Sequence, residues 1–470
     1  MRESRGAMVT FPGSTSGTVW AVPESLRTLG RGLASELRGS PAADNVESCL
    51  TNTWTTSMSW GTDPTGPSSQ VPEVFVRTGD IPAMWLRDST AQVRPYLALA
   101  KDPAVGDVLA GVSRRQIRCV LLDPYANAFN DGPTGAHGEP GDRPAPGDWV
   151  WERKYELDSL CAPLQLAYAI RRASGREDHL DDAFHRAAWT IVRMWWAEQS
   201  HTHSPYWFIR PSGPFAGDSL PQGGRGASVR RNGMTWSGFR PSDDPCRHGY
   251  LVPANALAST TLHGLAELAS SALRDPELAQ ESRRLADEID AGILANAVVK
   301  AGGASVLAYE VDGLGAVLLG DDANQPSLLS LPLSGWCTPE DPLYQATRNL
   351  VLSPSNPSFF SGRHASGVGS THTPDGHVWP LAIATAGLTG DENAAAQALQ
   401  TLAATTAGTG LMHESFHVDD PGRYTRDWFG WANAMFCELA LDLCGSGVRD
   451  LFPVHPRTLP AAPIANSGPA

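Results

Sequence analysis

The sequence offers little that would tie it to an oxidising compartment, to nucleic acid or to a bilayer. It has only seven cysteines in 470 residues. They are scattered at Cys49, Cys119, Cys161, Cys246, Cys337, Cys437 and Cys444, and none falls in a Cys-x-x-Cys pair. An odd, unpaired set in mostly apolar surroundings predicts buried free thiols in a reducing cytoplasm. Basic residues are outnumbered 36 to 50, for a formal charge of -14. That balance argues against a nucleic-acid partner, which would require a basic face. No apolar run is long enough to span a bilayer, so no membrane association is expected. The first residues, Met1-Arg-Glu-Ser-Arg-Gly, show no apolar core of a signal peptide, which also points to the cytoplasm.

Cofactor and metal signatures are missing as well. There is no Gly-x-Gly-x-x-Gly and no P-loop. Gly362, Gly367 and Gly369 lack the strand–helix frame of a phosphate cradle. His372 and His377 flank Thr-Pro-Asp-Gly. The proline and glycine forbid the helix that would put both imidazoles on one ion. No cofactor and no metal are expected.

What is abundant is tryptophan, at 15 residues. Most should pack in the core. Several sit in polar stretches, among them Trp85, Trp149, Trp236, Trp379, Trp428 and Trp431. There an indole face can stack on the C–H face of a sugar.

Apolar periodicity predicts mainly helices. Helical stretches are expected over 24–37, 89–100, 105–122, 156–173, 181–200, 253–273, 276–297, 342–352, 378–386, 391–406 and 428–443. Residues 49–60 and 73–77 read as extended, 306–319 as a small hairpin and 327–333 as a short apolar piece. The composition predicts a loose segment over 1–22, one domain over 23–453 and an unpacked tail over 454–470. Every second loop is long and rich in Trp, Asp, Glu, His or Arg. Such an alternation suggests helical hairpins with the site at one end.

The most chemistry-dense stretch is Gly79-Asp-Ile-Pro-Ala-Met-Trp-Leu-Arg-Asp-Ser89. Gly79 and Pro82 bend it, and Ser89 is a reasonable helix N-cap, placing Arg87 and Asp88 at a helix mouth. Further motifs follow in order: Gly238-Phe-Arg-Pro-Ser-Asp-Asp244, Asn356-Pro-Ser-Phe-Phe-Ser-Gly362, His377-Val-Trp-Pro380, Met412-His-Glu-Ser-Phe416 and Trp428-Phe-Gly-Trp-Ala-Asn433. Together they resemble the glycoside hydrolase family 125 exo-α-1,6-mannosidases, from about Cys49 to Cys444.

The resemblance implies an all-α fold, an (α/α)6 barrel with long catalytic loops at one end and minor β-hairpins. It implies inverting hydrolysis of a terminal α-mannoside, with an oligosaccharide as the partner. Inversion needs two carboxyl groups on opposite sides of the bond. The resemblance places the general base on Glu414. The acid falls on Asp243 or Asp244, where adjacent carboxyls disfavour joint ionisation. Asp244 before Pro245 reads as an N-cap, which ionises easily, so Asp243 is the expected proton donor. Sugar contacts would fall on Asp80, Trp85, Arg87, Asp88, Glu156, Asp158, Arg240, Asn356, Ser361, His377, Trp379, His413, Trp428, Trp431 and Asn433. The rivals are a glycosidase of the same fold acting on another α-glycoside, and a carbohydrate-binding protein without catalysis.

Overall fold

The computed structural model describes residues 21–62, 72–212 and 216–457. Residues 1–20 and 458–470, which hold most of the two expected loose ends, lie outside that set. Two helices open the described chain, α1 (Glu24–Glu36) and α2 (Ala42–Thr56). α2 corrects the extended reading over 49–56, whereas 58–60 are extended as expected and pair with 74–76. Val46, Leu50 and Trp54 form a buried stripe at helical spacing, which outweighs the β preference of its threonines. Three of those threonine hydroxyls instead donate to carbonyls four residues back.

α3 (Leu86–Val93) starts on Trp85, earlier than the expected Ser89 cap. The Ser89 hydroxyl donates to the Leu86 carbonyl at 2.9 Å. Arg87 and Asp88 therefore belong to the first helical turn. α4 (Pro103–Leu122), α5 (Leu157–Ser174) and α6 (Asp182–Glu198) follow. Asp102 caps α4 through Ala104 N and Val105 N, with proline at the first position, where its missing N–H costs nothing. Gly175 ends α5 in the left-handed conformation, φ 77°, as a helix C-terminus commonly requires. A single turn, α7 (Pro221–Gly224), precedes α8 (Val252–Ser271) and α9 (Pro276–Asn296). The rest are α10 (Pro342–Val351), α11 (Pro380–Leu388), α12 (Glu392–Ala404) and α13 (Gly430–Leu443).

These helices form two concentric rings. α3, α5, α8, α11 and α13 pack side by side as the inner ring; α2, α4, α6, α9, α10 and α12 back them. The fourth inner position, between α8 and α11, is taken by consecutive turns over 327–336. Pro326 and Pro332 deny that apolar piece a continuous helix. Among the described residues this is an (α/α)6 barrel with one inner helix reduced to turns.

The connections alternate in length. Long ones (57–85, 123–156, 199–251, 297–326, 352–379 and 405–429) each lead into the start of an inner element. Short ones, such as 272–275 and 389–391, return to the outer ring. All the strands of the described residues lie in the long connections, and small sheets tie neighbouring connections together. Residues 84–85 pair with 128–129, which pair with 150–152; 377–378 pair with 415–417. The hairpin expected over 306–319 is two pieces. Residues 304–307 pair back to 298–301, and 310–311 pair with both 317–318 and 250–251. One end of the barrel thus carries the elaborated loops and the N-termini of the inner helices, whose partial positive charge favours acidic side chains.

Residues 453–457 are packed, correcting the loose-tail reading for that part. His455 stacks on His263 at 3.6 Å, and the Arg457 amide donates to Trp336 O at 2.8 Å. No helix among the described residues is long and apolar enough to cross a membrane.

Candidate active site

The floor of the loop-bearing end is built by the first turns of α3 and α5. Arg87 Nη1 donates to Glu156 Oε2 at 2.6 Å and to Asp158 Oδ2 at 3.2 Å. Its Nη2 lies 3.3 Å from Asp88 Oδ2. Three buried carboxyls around one guanidinium repel each other, and burial penalises each charge. Burial pushes the Asp88 carboxyl up to about 6 against the pull of Arg87. Asp88 Oδ2 has no hydrogen-bond donor among the described residues. A buried acceptor of that kind is available to a ligand hydroxyl.

The wall over this floor is the turn 240–245. Asp243 sits there at φ 66°, a left-handed backbone that costs a non-glycine residue on the order of 1–3 kcal/mol. Three contacts hold it: Asp243 N to Arg240 O at 2.9 Å, Arg240 N to Asp244 O at 2.8 Å, and Lys154 Nζ to Asp243 O at 2.8 Å. The Asp243 carboxylate accepts from Trp85 Nε1 at 3.3 Å and Asn127 Nδ2 at 3.1 Å. Burial raises this carboxyl, but Lys154, Glu156, Arg87 and His372 prevail and hold it at about 2.

Asp244 is not a helix cap. The next helix begins at Val252, so proline after Asp244 signals only a bend. Its carboxylate accepts from Thr371 Oγ1 at 2.8 Å and Ser242 Oγ at 3.1 Å, and lies 3.9 Å from His372 Nδ1. It too is held below the usual carboxylate range, since these partners outweigh burial. The expectation that the adjacent pair shares a proton therefore fails. Each aspartate has its own cationic neighbours.

The opposite wall is the stretch 412–417. The strand 415–417 pairs with 377–378 and 420–425, and Met412 N donates to Asn433 Oδ1 at 2.8 Å. These fix Glu414 at the cleft. Arg426 Nε donates to Glu414 Oε1 at 3.0 Å, and its Nη1 pairs with Asp80. Arg426 is also left-handed, at φ 52°. Two strained non-glycine residues thus flank one site, which is where folds tolerate strain.

Between these walls lies a cleft of about 500 Å3. Asp80, Trp85, Arg87, Asp88, Asp243, Trp379, Glu414 and Trp431 all line it, as the sequence led one to expect. Asn324, His372, Arg426 and Phe429 line it too and were missed.

Other expected contacts lie elsewhere. Glu156 and Asp158 sit behind the floor, on Arg87. Arg240 is buried with its Nε 2.6 Å from Glu310 Oε1, so it builds the Asp243 turn. Asn356 is buried among backbone partners, accepting from Asp321 N and Ser358 N and donating to Val351 O. Ser361 bonds Ser366 across a hairpin at 2.7 Å. His377 Nδ1 lies 3.1 Å from Pro374 O. His413 is buried on Tyr424, ring centroids 3.7 Å apart, and its nitrogens meet the Arg426 and Thr406 carbonyls. Asn433 supports Met412, and Trp428 is half-buried outside the cleft lining.

This arrangement presents a carboxyl from each of two facing walls, a buried carboxyl on the floor whose Oδ2 accepts no hydrogen bond among the described residues, and indole faces between. It is a site for a polyhydroxylated ring with an acid-labile bond. The model of the metal-independent alpha-mannosidase family, GH125, matches residues 41–441.

The chain belongs to this family.

It is accordingly a glycoside hydrolase, a mannosidase that needs no metal. A curated relative, the meiotically up-regulated gene 157 protein of Schizosaccharomyces pombe, is 35% identical over 434 residues, covering 87% of this chain and 83% of that protein. A Streptococcus pneumoniae metal-independent alpha mannosidase, solved in a non-productive complex with alpha-1,6-mannobiose, is 43% identical. It superposes with a TM-score of 0.86 over 91% of this chain and 100% of that one. A bacterial glucoamylase solved with acarbose shares the fold alone, at 14% identity and TM-score 0.56, over 87% of this chain and 56% of that one. Among the described residues of the mannosidase, the only cluster with metal-ligand spacing is His263, Asp287 and Asp290, none of which lines the cleft. The Arg457 guanidinium already pairs with all three.

His372 gives a pH prediction. Its bond to Asp244, with Asp243 and Glu414 nearby, raises the imidazole to about 9 against the cost of burial. The ordinary value is about 6.5. Such a group adds stability that is complete below about pH 6.5 and is lost as pH rises through about 9. The thermal midpoint of the wild type is expected to fall across that window more than that of His372→Gln. Parallel curves for the two proteins would refute the charge assignment.

Proposed function

We propose that this mannosidase is exo-acting and removes terminal α-1,6-linked mannose with inversion, Asp243 serving as general acid and Glu414 as general base. One observation carries the assignment: Asp243 and Glu414, from different long connections, line the same cleft, whereas Asp244 is turned into Ser242, Thr371 and His372. In this reading Asp243 protonates the glycosidic oxygen. Glu414, oriented by Arg426, takes a proton from the water that attacks the anomeric carbon from the other face. Asp88 accepts a hydroxyl of the terminal sugar, and Trp85, Trp379 and Trp431 offer apolar faces. The Asp80–Arg426 pair lies at one margin of the cleft and narrows it, which favours a chain end over an internal unit.

The α-1,6 preference is supported by the 43% identity to the pneumococcal enzyme solved with that disaccharide. All seven cysteines are unpaired, six of them buried, which supports a reducing compartment, the cytoplasm. A panel of α-1,2-, α-1,3- and α-1,6-mannobiose with an aryl α-glucoside tests the substrate. Hydrolysis of the α-1,6 isomer should exceed the others by about tenfold or more, the scale of one to three kcal/mol in pocket discrimination. Equal rates on all isomers, or preference for the glucoside, would overturn the linkage reading.

A further inference from the structure

Asp243 raises a chemical difficulty. A general acid must carry a proton at the start of turnover, yet Lys154, Arg87 and His372 all favour its charged form. Lys154 is buried and donates to the Asp243 carbonyl and to Asp218 Oδ2, both at 2.8 Å. The cleft side, where His372 favours the charged carboxylate, does not supply a neighbour that keeps Asp243 protonated.

The interior side does. Glu156 lies directly behind Asp243, with a side chain wholly shielded from solvent. Asn127 Nδ2 donates to Glu156 Oε1 and to Asp243 Oδ1, each at 3.1 Å, and to Glu152 Oε1 at 3.0 Å, so three carboxyl oxygens converge on one nitrogen. The carboxyl groups of Glu156 and Asp243 also act on each other's acidity. Two carboxylates brought this close repel when both are ionised, and one retained proton relieves the repulsion. Glu156 is further held by Arg87 Nη1 at 2.6 Å and Ser159 Oγ at 2.6 Å.

We propose that Glu156 is the proton-holding partner of Asp243: the buried pair keeps one shared proton, and Asp243, its cleft-facing member, delivers it to the leaving oxygen. This rests on the assignment of Asp243 as the acid. The bookkeeping closes. The proton moves from the pair to the glycosidic oxygen as the C–O bond breaks, and Glu414 gains the proton lost by the attacking water. Afterwards the pair carries two negative charges and Glu414 is neutral. Exchange with solvent through the cleft restores both. Glu156 touches no substrate in this scheme; it acts through Asp243 as a positioning residue.

The charged groups around the pair agree with one retained proton. Glu156 faces Arg87 and Asp158 as well as Asp243, and burial together with the two acids lifts it well above the usual carboxylate range despite Arg87. Asp243 faces Lys154, Arg87 and His372, with Asp88 adding repulsion from the floor. The proton therefore rests on the glutamate side and is available to the aspartate, a division seen where neighbouring carboxyls are forced apart in acidity.

The test is Glu156→Gln, assayed against Asp243→Asn. The amide keeps the shape and the bond to Asn127, but holds no transferable proton. On α-1,6-mannobiose kcat should fall by about 100-fold, and on a nitrophenyl α-mannoside, whose leaving group needs no proton, by less than about tenfold. The alkaline limb of kcat/KM on the disaccharide should move to lower pH, because Asp243 alone is held acidic. Glu156→Asp, which retains a titrating group, should recover at least part of the loss. Equal losses on both substrates with an unmoved alkaline limb would overturn the proposal and leave Glu156 as a prop for Arg87. Should the glutamine variant yield no folded protein, the same ratio and limb are read from Glu156→Asp: a larger loss on the disaccharide supports the pair, an equal loss refutes it. If Asp243→Asn shows no leaving-group dependence, it is the acid assignment that fails, and the two failures are told apart.

Discussion

Glu414→Gln is expected to lower kcat by about 10^3-fold or more, within the range for loss of a general base, while mannoside binding changes only a few-fold. The amide can still accept from Arg426 Nε, which lies 3.0 Å from Glu414 Oε1 in the native enzyme. The wall of the cleft should therefore keep its shape. What is lost is the ability to take a proton from water. Steady-state rates and a calorimetric titration with α-1,6-mannobiose check the two halves separately. Rates near wild type would remove Glu414 from the mechanism. Lost binding with an intact rate constant would make it a sugar contact.

The second large effect should separate the two aspartates. Asp243→Asn should cost about 10^3-fold in kcat/KM on α-1,6-mannobiose and less than about tenfold on a nitrophenyl mannoside. Asp244→Asn should weaken both substrates alike. Its carboxylate organises Thr371 and His372 beside the cleft, and the amide would serve both less well. The ratio of kcat/KM on the two substrates is the discriminating number. If the leaving-group dependence follows Asp244, the two residues exchange roles. If neither variant shows it, the acid lies outside this turn.

Much of the fold was legible because the helices obey two simple rules. Apolar residues recur at helical spacing, and Asp102, Asp181, Asp275, Asp341 and Asp391 accept from the free backbone donors at the starts of α4, α6, α9, α10 and α12. The misreadings came where those rules compete with others. The threonines of α2 suggested a strand, but burial of Val46, Leu50 and Trp54 decided for helix. The short apolar piece over 327–333 reads as such, and two prolines keep it from forming the inner helix whose place it takes.

At the site, legibility depended on sequence distance. Arg87, Asp88, Asp243 and Glu414 stand in dense local motifs, and all reach the cleft. Asn127, Lys154 and Arg426 stand in stretches with no such density. Their significance lies in partners far along the chain: Lys154 meets Asp243 across 89 residues, and Arg426 meets Asp80 across 346. No local pattern encodes such a pairing. The one available signal was a lysine inside an aromatic-rich run, Trp149-Val-Trp-Glu-Arg-Lys-Tyr155. The histidines and Asn433 of the strongest motifs stand apart from these, since they hold the loops and are not in the cleft lining.

The most direct test of two carboxyls acting across one cleft is the configuration of the sugar first released. Hydrolysis of the methyl glycoside of α-1,6-mannobiose, whose leaving sugar has a locked anomeric carbon, would be followed by proton NMR from the earliest minutes, before mutarotation equilibrates the anomers of the released mannose. A base that activates water on the face opposite the leaving group must yield β-mannose first, with the α anomer growing in later. Early accumulation of α-mannose would mean retention, and with it a covalent intermediate that contradicts the roles given to Asp243 and Glu414.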